Sequence, residues 1–82
     1  MDMHRALALL RSGDWEGAHA IVQEDESAVA CWAHGIVHLM EGDEGNAGYW
    51  YRRAGRRRPA PSADRVAAEL DALDAALSGA QQ

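Results

Sequence analysis

The chain contains no phenylalanine and no lysine, only one cysteine and only two prolines. A lone Cys31 rules out an internal disulfide and fits a reducing cytosol, so packing alone must hold the fold. No apolar run approaches the length of a membrane span, and no basic segment followed by an apolar one opens the chain. A cytoplasmic, bacterial-type protein is expected, with no membrane association. No segment alternates apolar and polar residues between hairpin signals, which removes the main sequence argument for a sheet. No G-K-[ST] ending follows the glycines at 42–48, and no nucleophile stands beside a base, so neither a phosphate loop nor an enzyme is expected.

What is present is mostly Ala, Leu and charge. At 82 residues the chain makes one domain, able to bury roughly 60% of its unfolded surface. That leaves little core for a deep enclosed active site. Thirteen acidic residues against eight basic ones give a net charge of −5, which argues against nucleic acid or anionic lipid as a general partner. All eight basic residues are arginine. Arg52, Arg53, Arg56, Arg57 and Arg58 crowd together, which makes an anion or an acidic partner a reading for residues 52–58. The plainer reading is that they complement the negative end of a helix and pair with Asp64, Glu69, Asp71 and Asp74.

Apolar spacing predicts five helices. Met3, Leu7 and Leu10 form a stripe on a helix over 2–12, and Trp15, Ala18, Ile21 and Val22 face inward from one over 15–24. Ser27 caps a third that reaches Met40 or Glu41. A fourth runs over 44–57 until "RRPAPS" breaks it. Ser62 caps a fifth over 62–78, whose Val66, Leu70, Leu73 and Leu77 step by four, three and four. The tail "SGAQQ" is expected to fray. "GDWEGA" at 13–18 and "GDEGNA" at 42–47 repeat the same punctuation between helices. The expected fold is all-α: stacked hairpins over 2–24 and 28–57 with a C-terminal helix.

The stretch from Ala28 to Pro61 resembles one tetratricopeptide repeat, through Gly35, Gly42, Ala47, Tyr51, Ala54 and Pro59. Trp32 falls one position later than that pattern has it, Cys31 takes its slot, and His34 and His38 stand where Leu and Tyr are usual. The first hairpin keeps Ala6, Gly13 and Ala18. The run "EGDEGNAGYWYRRAG" is also similar to a motif, "EGD..NA.YWYRRAG", of small uncharacterised bacterial proteins. The tetratricopeptide likeness implies a groove that binds peptides or helices, lined here by Val29, Trp32, Ile36, Leu39 and Met40 with Met3, Leu7 and Leu10. Such an apolar face must be covered, either by the fifth helix or by a partner, a second copy of the chain included. The expected function is therefore a protein–protein interaction module without a cofactor, self-associating or binding a helix or peptide.

A second reading starts from His34 and His38, four apart on one helix, with Glu41 three further on. Two imidazoles and a carboxylate suit zinc, the third ligand being Glu41, or His4 or His19 from another helix. "HGIVH" lacks the general-base Glu of H-E-x-x-H. A polar pocket for a small ligand would add Asn46 and Tyr49 to the two histidines. The simpler alternative is packed histidines bonded to polar neighbours. Cys31, with no Lys or Arg beside it, reads as a small buried residue.

Overall fold

The computed structural model describes residues 2–79 and is all-helical: α1 Met3–Arg11, α2 Trp15–Val22, α3 Ala28–Glu41, α4 Glu44–Arg53 and α5 Arg65–Gly79. Five helices in an all-α arrangement are as the sequence spacing predicts. Of the tail expected to fray, 80–82 lie outside the described residues. Among the described residues no helix is long and apolar enough to cross a membrane.

The repeated Gly-Asp pairs explain how the helices join. Gly13 and Gly42 have φ of +87° and +88°, a left-handed conformation that costs glycine little. At the first turn, the Asp14 N–H donates to the Leu9 carbonyl (2.8 Å) and the Gly13 N–H to Leu10 (3.1 Å). At the second, Asp43 N–H meets His38 (2.9 Å) and Gly42 N–H meets Leu39 (3.2 Å). These paired bonds close the last turn of α1 and of α3. Each aspartate then starts the next helix, Asp14 accepting from the Gly17 N–H and Asp43 from the Asn46 N–H. One dipeptide thus ends a helix and begins its antiparallel neighbour.

Helix ends fall within two residues of the sequence expectation except at two places. Helix α4 stops at Arg53 rather than 57, because Gly55 repeats the same ending: its N–H meets Arg52 (3.0 Å) and that of Arg56 meets Tyr51 (2.9 Å). The prolines further on play no part in that stop. Helix α5 begins at Arg65 rather than at a Ser62 cap. Its first helical hydrogen bond runs from Ala68 N–H to the Asp64 carbonyl, while Ser62 only closes a turn onto Arg65. The Arg65 guanidinium holds the preceding loop through the Pro59 carbonyl (3.1 Å) and the Glu44 carboxylate.

Helix α3 is the centre of the molecule, with every residue from Ala30 to Leu39 buried. It packs against each of the other four helices. Cys31 is buried, as expected of it. On α5, Leu70, Leu73 and Leu77 are buried against α1 and α3, with Val66 half-buried. The supposed partner-binding face is therefore interior. Met3, Leu7, Leu10, Trp32, Ile36 and Leu39 are at most 9% exposed, and Val29 and Met40 are half-buried. Of the two coverings open to that face, α5 supplies it.

The α3–α4–α5 junction is fixed by one carboxylate. A single Glu69 oxygen accepts from Trp32 Nε1 (3.1 Å) and from the Tyr51 hydroxyl (2.7 Å). Burial, helped by the bond to Glu69, pushes the Tyr51 phenol above its ordinary range, so it remains a donor. Tyr51 packs against Gly35, where an added Cβ would sit 2.5 Å from the ring. Glycine is needed there for closeness rather than for backbone conformation.

Gly35→Ala should destabilise the protein by up to about 2 kcal/mol in urea denaturation, because overpacking against the ring costs about 1–3 kcal/mol and the gain in helix propensity returns at most about 1 kcal/mol. Glu69→Ala should cost roughly 1–3 kcal/mol for each donor left unpaired, and Glu69→Gln, which keeps an acceptor, should cost less.

Candidate metal centre

Because α3 is buried from Ala30 to Leu39, both of its histidines lie within the protein, with His38 at the base of a cleft. His34 is 4% exposed and His38 is 8% exposed. Helix α2 lays half-buried His19 beside them, on the stripe that also carries Trp15 and Val22. The rings of His34 and His38 stack with centroids 5.1 Å apart, and His19 meets them edge-on at 4.7 and 5.7 Å. One ring nitrogen from each of the three lies within 4.8 Å of the others.

The remaining contacts orient this cluster. His38 Nδ1 donates to Glu41 Oε1 at 2.8 Å. In the neutral tautomer that donates from Nδ1, Nε2 carries the lone pair. Trp50 of α4 stacks on His34 at 3.8 Å and 9°, with the Arg53 guanidinium 5.1 Å above the indole. Indole and guanidinium together close one side of the cluster. The other side opens into a cleft of about 370 Å³ lined by Trp15, Glu16, His19, Val37, His38 and Glu41.

Burial holds His34 down to about 4, with His19, His38 and Arg53 adding repulsion against a further positive charge. At neutral pH it is an uncharged imidazole, the form that donates to a metal.

The structure brings together some of the residues singled out from sequence and separates others. His34, His38 and Glu41 are joined, and the further histidine is His19 rather than His4. Asn46 is elsewhere: its backbone and side-chain N–H groups both bond Asp43, at 3.2 and 2.9 Å. Those bonds hold the Asp43 carboxyl below its ordinary range. Tyr49 is 44% exposed, edge-on to Trp50, and its hydroxyl meets Arg53. The expected polar pocket of His34, His38, Asn46 and Tyr49 is thus replaced by His19, His34, His38 and Trp50. Trp50 was legible as a neighbour, since 47, 50, 51 and 54 share a helical face. His38, Glu41 and Asp43 also approach one another closely, but Asp43 is occupied as the α4 cap and His38 Nδ1 by Glu41.

The arginines are dispersed rather than gathered on one ligand. Arg56 lies 3.5 Å over the Trp32 ring, Arg53 reaches Glu26 at 3.5 Å, and Arg58 joins Arg65 on Glu44. The bond from Arg65 is the main cause of the lowered Glu44 carboxyl. Arg52 and Arg57 are exposed. Asp71 and Asp74 of α5 pair with Arg11 at 2.9 and 3.4 Å rather than with the cluster at 52–58. The expected salt bridges to the following helix are corrected accordingly.

Comparison with family models, with curated proteins and with solved structures returns no match. The chemistry of the site has to speak for itself.

The His34 shift carries a pH dependence. A histidine whose folded pKa lies below its unfolded value near 6.5 binds more protons when unfolded, so stability is full above about 6.5 and is lost as pH falls toward 4. Urea denaturation of the metal-free protein should show a loss of up to about 3 kcal/mol from this residue by pH 4, reduced in His34→Gln.

Proposed function

We propose that this chain is a small helical protein that binds a zinc-class divalent metal ion, held by His19, His34 and His38 and oriented by Glu41. The observation that carries the reading is the convergence of three imidazole nitrogens, one from each residue, within 4.8 Å inside a molecule of this size. Ligands on a tetrahedral zinc with bonds of about 2.0 Å stand about 3.3 Å apart, so an approach of up to about 1.5 Å completes the set. Side-chain rotation on α2, where His19 is only half-buried, supplies that freedom.

The surroundings support it further. A ligand histidine ordinarily donates its second N–H to a carboxylate, which fixes the ring and raises its basicity. Glu41 does this for His38. Imidazole donors suit zinc, copper and nickel better than calcium or magnesium. The interaction-module reading has less to stand on, because most of the residues that the tetratricopeptide likeness places in a groove are buried, with α5 packed on α1 and α3. The anion reading of Arg52, Arg53, Arg56 and Arg57 is weakened because Arg53 and Arg56 are already engaged.

Tag-free protein should bind one zinc ion by isothermal titration. At a free-metal concentration of 100 times Kd the melting temperature should rise by on the order of 10 °C. His34→Gln and His38→Gln should each abolish the rise, and Glu41→Gln should weaken affinity about 10- to 100-fold. Unchanged melting with zinc, or a rise that survives both histidine substitutions, would overturn the proposal.

A further inference from the structure

We infer that an ion on His19, His34 and His38 keeps one exchangeable coordination position facing the cleft between α2 and α3, and that this position takes a neutral nitrogen donor, an unprotonated imidazole or amine, in preference to an anion. The inference rests on the metal reading above and adds the class of ligand. Three protein donors leave a tetrahedral ion one position short, the arrangement that lets zinc take a water or an outside ligand. Glu41, the nearest candidate to complete the set, is committed to His38 Nδ1.

Where the remaining position faces follows from what covers each histidine. His34 is closed by Trp50 and, beyond it, Arg53. His19 and His38 both line the cleft, and His34 does not. An outside ligand therefore enters past Trp15 and Val37. About 370 Å³ admits a single small ring or a side chain. The ionisable groups on the cleft besides the two histidines are Glu16 and Glu41, both carboxylates and both exposed. Arg53, the cation that also acts on His34, lies 5.1 Å over the Trp50 ring and does not line the cleft. Those two carboxylates oppose an arriving anion and offset the pull of the bound ion's own charge, whereas a neutral donor meets no such opposition. The apolar faces of Trp15 and Val37 favour a ring over a free inorganic ion.

The test uses the tag-free chain loaded with one equivalent of Co2+, whose visible absorption reports coordination. Imidazole should shift the bands saturably, with a half-saturation concentration at least tenfold below that of azide. Glu16→Gln, a change outside the three ligands, should narrow that difference. Bands that ignore imidazole while cobalt stays bound, as checked by desalting, would overturn the inference by showing a sphere completed by the protein. Tighter binding of azide, or removal of cobalt by imidazole, would overturn it as well. Failure of Co2+ to give any bound spectrum appears before imidazole is added and would remove the metal reading itself.

Discussion

The arrangement depends on one shared acceptor, the Glu69 oxygen that takes both the Trp32 indole N–H and the Tyr51 hydroxyl. That pair of bonds ties α5 to α3 and α4 at once and lets two large polar-tipped aromatics be buried without an unpaired donor. With α5 held there, Leu70, Leu73 and Leu77 lie over the apolar stripe of α1 and the near side of α3. The same contact locks Tyr51 against Gly35, which sets how closely α4 approaches α3. Removing the carboxylate would release the fifth helix and the spacing of the second hairpin together.

The histidine cluster is a consequence of that closure. Once α3 is surrounded, any polar residue on it must find its partners inside the protein, and His34 and His38 find each other, His19, Trp50 and Glu41. Three imidazoles facing one another are a costly choice for a core of this size, where leucines would pack with less conflict. His34 bears that cost in its poor tolerance of a proton. A bound cation would turn the conflict into an attraction, because lone pairs that repel one another would share a positive centre.

Much of this was legible in the sequence, for reasons that differ by element. The Gly-Asp pairs at 13–14 and 42–43 mark turns because the left-handed conformation and the cap are local properties of those two residues. The α5 stripe was legible as spacing, but its covering of α1 and α3 is a tertiary fact that periodicity alone cannot supply. For that reason Leu7, Trp32 and Ile36 read equally well as a partner face and as a core. Gly55 misled for a different reason: the prolines at 59 and 61 advertise a break, while the helix already ends at a less conspicuous glycine. His34, His38 and Glu41 were readable from helical spacing within α3. His19 was readable only as one of two histidines that another helix could supply, since spacing within α2 does not say where along α3 it lands. Asn46 and Tyr49 were drawn toward the histidines by proximity along α4, but the Asp43 cap claims the first and solvent the second.

The central claim is that three helical histidines form one metal centre. The most direct measurement is anomalous diffraction at the zinc edge on crystals of the zinc-loaded, tag-free protein. The account predicts a single strong anomalous peak between His19, His34 and His38, with Glu41 still bonded to His38 Nδ1. A peak only at surface carboxylates, or none at a zinc concentration that saturates solution binding, would contradict it.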